Sequence, residues 1–200
     1  MDITPGAARP GGRTARVRAA VLTAAGDVLA ESGYAGLDLA DVARRAGVGK
    51  TTVYRRWGSV GGLVADLLAE MAESSTPRAD TGTLLGDLTA NARLVRRTLA
   101  NRRQGPLFRA VIAASIGAPD TARALHRFYA ARVDEWAPCV ADAVARGEVP
   151  DGTDGREVIR AVSAPLYYRM LTTNAPLTVA MADRAAAAAA AAARDGAYLS

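Results

Sequence analysis

The densest group of side chains able to do chemistry is Lys50, Thr51, Thr52, Tyr54, Arg55 and Arg56, interrupted only by Val53. Cations, hydroxyls and a phenol in one short run suit phosphate oxygens and the edges of bases rather than bond-making. Arg44 and Arg16 lie upstream and add charge for a polyanion. Catalytic sets fail for want of residues. His126 is the single histidine and Cys139 the single cysteine, which removes His-rich metal centres and an internal disulfide. No Ser-His-Asp or Cys-His pairing can be argued, because sequence fixes neither nucleophile nor base. His126 stands between Arg123 and Arg127 and is expected to be a solvated surface residue. No metal, no cofactor and no enzymatic activity are expected.

One rival reading uses the same lysine. Gly47-Val48-Gly49-Lys50-Thr51-Thr52 mimics the end of a phosphate-binding loop, whose backbone amides and lysine cradle a nucleotide. That loop needs a glycine five residues before Gly49, where this chain has Arg44. It must also follow a buried strand, whereas Asp41-Val42-Ala43-Arg44-Arg45 is polar and helix-periodic. ATP binding with magnesium would reveal a nucleotide-hydrolysing protein.

The elements that must hold these donors are helices. Half of the 200 residues are apolar and only 5% aromatic. Alanine dominates the apolar set, and it is the strongest helix former. The fold class is therefore expected to be all-α, with strands disfavoured by the shortage of β-branched and aromatic residues. Arginine supplies every basic residue but Lys50, a bias that fits a GC-rich coding sequence. The net charge of +5 is unevenly placed. Residues 1–58 carry nine basic and five acidic side chains, a net +4, and the remainder nets +1. A small basic module meeting a nucleic acid has this distribution. No apolar run is long enough for a membrane span, and Met1 to Gly12 lacks the apolar core of a signal peptide. A single cysteine suits a reducing compartment, so the expected location is the cytoplasm.

Three organisational units are expected: a flexible tail over 1–13, a helix-turn-helix unit over 14–60, and a helical domain over 61–200. Val17, Val21, Leu22, Ala25, Val28 and Leu29 give the first helix one apolar face, ended by Ser32-Gly33. Asp38 can cap a second helix, in which Leu39, Val42, Ala43 and Ala46 face inward. Gly47-Val48-Gly49 stops it, and a third helix runs from about Lys50 to Trp57, pinned by Val48, Val53 and Trp57. Ser59 can cap a fourth through Val64, Leu67, Leu68 and Met71, with a loop at 74–80. Further helical patterns fall near 83–103, 106–116, 119–146, 154–173 and 176–195. Pro138, inside the pattern 119–146, is expected to bend that helix near Trp136, and Pro165 could act alike between Val162 and Tyr168.

Gly33-Tyr34 followed by the run Leu39 to Trp57, with its glycine turn, Tyr54 and closing aromatic, resembles the DNA-binding domain of the TetR family of transcriptional regulators. The resemblance covers roughly residues 14–70. It implies an all-α homodimeric repressor with an N-terminal three-helix DNA-binding domain and a larger C-terminal domain for ligand binding and dimerisation. Carried over by position, Lys50, Thr51, Thr52, Tyr54 and Arg55 would contact double-stranded operator DNA, with Arg56, Arg44 and Arg16 nearby. The last two helices would form a four-helix bundle with a second copy.

Three departures stand out. Asp38 occupies a cap where the family often has Ser or Thr, and its charge would repel a phosphate. Ser59 is followed by Val60 rather than the family's common lysine, a lost phosphate contact that Arg16, Arg18 or Arg44 could offset. Gly61-Gly62 in the first turn of the fourth helix should weaken it, so changing both to Ala is expected to stabilise the fold by up to about 2 kcal/mol.

In the larger domain, Phe108, Ile112, Tyr129, Trp136 and Tyr167 are expected to line an apolar-to-aromatic pocket for a small-molecule effector. Filling of an alanine-rich core would explain the same residues. Val158, Ile159, Val162, Leu166, Met170 and Leu171 on one of the last two helices, with Leu177, Ala180, Met181 and the alanine run on the other, form the expected dimer stripe. A monomer packing those helices internally, and a constitutive DNA-binding protein without an effector, remain open beside this reading.

Overall fold

The computed structural model describes the backbone from residue 10 to residue 200, with side chains from residue 12. It is all-α: α1 (Pro10–Ser32), α2 (Leu39–Arg45), α3 (Lys50–Trp57), α4 (Val60–Glu73), α5 (Leu84–Ala100), α6 (Gln104–Ser115), α7 (Pro119–Trp136), α8 (Pro138–Ala145), α9 (Gly155–Thr172) and α10 (Val179–Arg194). A 3-10 turn, Tyr34–Gly36, joins α1 to α2. Among the described residues β-pairing is limited to one antiparallel bridge, Thr153 to Leu199. No helix there is long and apolar enough to cross a membrane. Of the tail expected over 1–13, residues 1–9 lie outside the described residues, and α1 takes in residues 10–13.

Local signals set the helix starts. The Asp38 carboxylate accepts from the Ala40 and Asp41 N–H groups (2.8 and 3.0 Å), and Ser59 Oγ accepts from Gly62 N–H (3.1 Å). Each satisfies donors that the first helical turn leaves free. Thr83, Asp154 and Thr178 cap α5, α9 and α10 in the same way. The expected bend at Pro138 is a break. The helix ends at Trp136, and Pro138 opens α8 at a first-turn position where its missing N–H has no helical acceptor to lose. Pro165, by contrast, sits inside an uninterrupted α9.

A single apolar core runs through the molecule, from Val21 of α1 to Ala193 of α10. α1 packs on α2, α4 and α6, while α4 packs along α7. α5, α9 and α10 pack against one another, and buried alanines let α10 approach α5 closely. The polar seams between these helices are charged. Arg18 of α1 pairs with Asp66 of α4 (2.6 Å) and Arg93 of α5 with Asp183 of α10 (2.7 Å). Arg103, just before α6, reaches the Thr23 carbonyl of α1 (2.7 Å) and pairs with Asp27 (2.5 Å).

Most of the α9 stripe expected at the dimer face is core within the chain. Val158, Val162, Leu166 and Met170 are buried inside the chain, and Leu177 and Met181 are half-buried against the same core. Periodicity marks which face of α9 is apolar, yet it does not say that α5 covers it. Leu171, the end of that stripe, stays in solvent (48% exposed), as do Tyr168 (69%) and Val179 (45%), beside Ala164 and Pro165.

Candidate nucleic-acid interface and ligand cavity

α2 and α3 form a helix-turn-helix unit on the scaffold of α1. The turn between them depends on Gly47, whose φ of 66° is a left-handed conformation that side chains rarely adopt. The Val48 N–H bonds the Ala43 carbonyl across it (3.0 Å). Val53 and Trp57 are buried, pinning one side of α3, and Val48 is half-buried beside them. The other side is open: Lys50, Thr51, Tyr54, Arg55 and Arg56 are exposed and Thr52 is half-buried. An eight-residue helix, about 12 Å long at 1.5 Å per residue, presents these donors as a short rod matched to a major groove of similar width.

The charges on this face differ in freedom. Among the described residues Lys50 and Arg55 have no carboxylate partner, whereas Arg44 pairs with Asp41 one turn back on α2. The Arg44 pair also helps hold the Asp41 carboxyl below its ordinary range. Arg56 lies over the Trp57 ring, 5.2 Å from its centre. Arg16 is exposed on α1 and bonds the Gly12 carbonyl (3.2 Å). Arg18, read from sequence as a possible phosphate contact, is committed elsewhere: its guanidinium holds Asp66 and Glu70 of α4. At the start of α3 the Thr52 N–H is engaged by the Gly49 carbonyl (3.0 Å), so the N–H groups of Lys50 and Thr51 are the ones without a helical partner.

A cavity of about 360 Å³ opens in the larger domain between the end of α4 and helices α5, α6, α7 and α9. Phe108, Tyr129, Trp136 and Tyr167 line it, as does Phe128. Ile112 does not; it borders an adjoining, more open groove with exposed His126, Leu171 and the outer sides of Tyr129 and Tyr167. The rings touch in series, with centroids 5.3 Å apart for Phe108–Phe128, 5.5 Å for Phe128–Tyr129 and 5.4 Å for Tyr129–Tyr167. Burial pushes the Tyr129 hydroxyl up to about 12 and that of Tyr167 well above its ordinary value.

Sequence reasoning missed the polar lining. Asn91 of α5 and Arg132 of α7 both face the cavity. Asn91 shares a helix face with Leu84, Leu88 and Val95, and Arg132 falls between Tyr129 and Trp136 at three- and four-residue spacings. A polar residue inside an apolar stripe was the available signal. Cys139 is no reactive site, since burial pushes its thiol up to about 12.

Comparison with known proteins agrees with this anatomy. Residues 21–67 match the bacterial regulatory proteins of the tetR family, and residues 78–189 match the tetracyclin repressor-like C-terminal domain. The chain is 31% identical over 172 residues to the HTH-type transcriptional regulator AqdR of Rhodococcus erythropolis, covering 84% of this chain and 81% of that protein. It is 32% identical over 168 residues to the DNA-binding transcriptional repressor TetR of Mycobacteroides abscessus, covering 83% and 87%. Among solved structures, the TetR family transcription regulator SCO0332 superposes with a TM-score of 0.69 at 28% identity, over 88% of this chain and 97% of that one. A helix-turn-helix unit and a helical domain matched by two consecutive segments of one family leave a single assignment: the chain belongs to the TetR family of DNA-binding transcriptional regulators.

Proposed function

We propose that this regulator is a homodimeric repressor that binds a pseudo-palindromic operator and is released by a small molecule held in the aromatic cavity. The observation that carries the reading is the pairing, in one continuous core, of an outward donor face on α3 with a half-open, aromatic-lined hollow. In this reading Lys50, Thr51, Thr52, Tyr54 and Arg55 meet DNA, and Arg56, Arg44 and Arg16 serve its phosphates. Two states differing in the spacing of the paired recognition helices are enough for control. Ligand and operator then weaken each other by the same factor.

The sole lysine supplies the test. Operator DNA should slow reaction of Lys50 with an amine reagent, followed by mass spectrometry. Prior acetylation of Lys50 should weaken binding and flatten its salt dependence by about one ionic contact. Equal reactivity with and without operator, or equal affinity for random and operator DNA at physiological salt, would sink the reading. Protection by ATP instead of DNA would favour the phosphate-loop alternative.

A further inference from the structure

We propose that the effector is a hydroxylated aromatic carboxylate of one or two rings, with its acid group on Arg132 and the Trp136 indole N–H and its hydroxyl on Asn91. The inference rests on the reading of the cavity as the effector site and names what that site takes.

The argument is an accounting of unmet contacts. Trp136 and Asn91 are 2% and 4% exposed, and neither Trp136 Nε1 nor Asn91 Oδ1 has a hydrogen-bond partner among the described residues. Both residues line the cavity. A buried polar atom without a partner is costly, and native folds rarely tolerate one unless something else completes it. Trp136 Nε1 can only donate, so it calls for an acceptor; Asn91 Oδ1 accepts, so it calls for a donor.

Charge decides what kind of acceptor. The lining includes Arg97 and Arg132 and no carboxylate. Neither arginine is in an ion pair among the described residues. Arg132 stands one helical turn before Trp136 on α7, which sets the two donors on one face. Among the described residues its only hydrogen bond is a long one to the Thr76 carbonyl, 3.3 Å. The carboxylate that does act on it, Glu135, is exposed and accepts from the Arg78 backbone N–H (3.2 Å). Burial also pulls the Arg132 guanidinium below its ordinary value, the mark of a cation short of water and of counter-charge. A carboxylate satisfies the guanidinium and the indole N–H together, with the geometry that arginine favours.

Shape decides the frame. Edge-to-face rings such as Tyr129 and Tyr167, perpendicular at 90°, leave flat walls suited to another ring. A cavity of about 360 Å³ lies at the small end of ligand sites, which limits the frame to one or two rings.

The test is calorimetric titration of the full-length protein. The probes are 4-hydroxycinnamate and 6-hydroxy-2-naphthoate, their methyl esters, their deoxy counterparts, and octanoate. The hydroxy acids should bind, with esters weaker by about 10-fold or more for loss of one charge-assisted contact. Arg132→Gln, shown by its melting temperature to be folded, should bring acid and ester level; Asn91→Leu should level hydroxy and deoxy acids. Esters or octanoate binding as tightly as the hydroxy acids would overturn the proposal. So would an Arg132→Gln protein that keeps its preference for acid, or failure of every acid to bind. Operator binding measured without any probe tests the repressor reading separately: acids that bind a protein with no operator preference would leave the ligand class standing and remove the repressor.

Discussion

Asp66 of α4 is the point where three helices meet. Its carboxylate accepts from both Nε and Nη2 of Arg18 on α1 (3.1 and 2.6 Å) and from the indole N–H of Trp57 at the end of α3 (2.9 Å). The last bond ties α3 to the helix that enters the larger domain. Burial alone would raise the Asp66 carboxyl, but Arg18 and Trp57 together hold it below its ordinary value. A carboxyl with a depressed folded value contributes stability in full above its unfolded value of about 3.9, and loses it as pH falls through the folded value. Comparing urea unfolding of the wild type and Asp66→Asn from pH 7 down to 3 should therefore show a gap of about 1–2 kcal/mol at neutrality, discounted for partial solvent access. That gap should begin to shrink below about pH 4 and be lost as pH falls through the lower folded value. A gap of constant size across the range would mean that the ion pair contributes nothing. Arg18 looked free for DNA in the sequence because its partners lie 48 and 52 positions away, a distance that no local pattern spans.

At the scale of elements, what could be read locally was read well. The Asp38 and Ser59 caps, the Gly47 turn and the Val53–Trp57 pin all fall within 22 consecutive residues, from 38 to 59, and each acts on its own neighbours. Errors arose where a third element intervened. Gly61 and Gly62 look like defects in a helix start, yet Gly62 is required by its surroundings and Gly61 is tightly packed. A Cβ on Gly62 would lie 2.3 Å from the Trp57 carbonyl oxygen, and one on Gly61 would press on Asp120 Cβ of α7 at 3.0 Å. At Gly62 the sign of the expected effect is thereby reversed. Gly62→Ala should lower stability by about 1–3 kcal/mol, as other overpacking changes do, since the opposing atom is backbone and cannot swing aside. Thermal unfolding with a melting temperature at or above that of the wild type would restore the propensity argument. The cavity followed the same rule: four of its five expected residues were found from aromatic clustering, while Asn91 and Arg132 emerge only when α5 and α7 line one hollow.

At the scale of the whole molecule the proposed dimer depends on which apolar surface the monomer leaves uncovered. Leu166 and Met170 are sealed in the core, so the contact proposed here must use the other side of α9: Ala164, Pro165, Tyr168 and Leu171, continued by Val179 and the exposed alanines 187, 188 and 191 of α10. α9 has 18 residues and rises about 27 Å. With α10 beside it at about 10 Å, the pair offers roughly 500 Å² in plan before side-chain relief, near the scale of a stable interface of about 800 Å² per partner. A two-fold arrangement covers both copies with one self-complementary patch. The substitution pair Tyr168→Asp and Leu171→Asp should then yield a monomer by sedimentation at micromolar concentration. Its circular dichroism should match the wild type, because neither side chain belongs to the core. Operator affinity should fall sharply, since each free subunit reaches only one half-site and loses the gain of linkage. Leu166→Asp is the instructive contrast: a charge buried at that site should cost folding itself, lowering helicity along with dimer content. A double variant that stays dimeric with native helicity would move the interface off this face, to surfaces such as the rim marked by Ile116, which is 91% exposed.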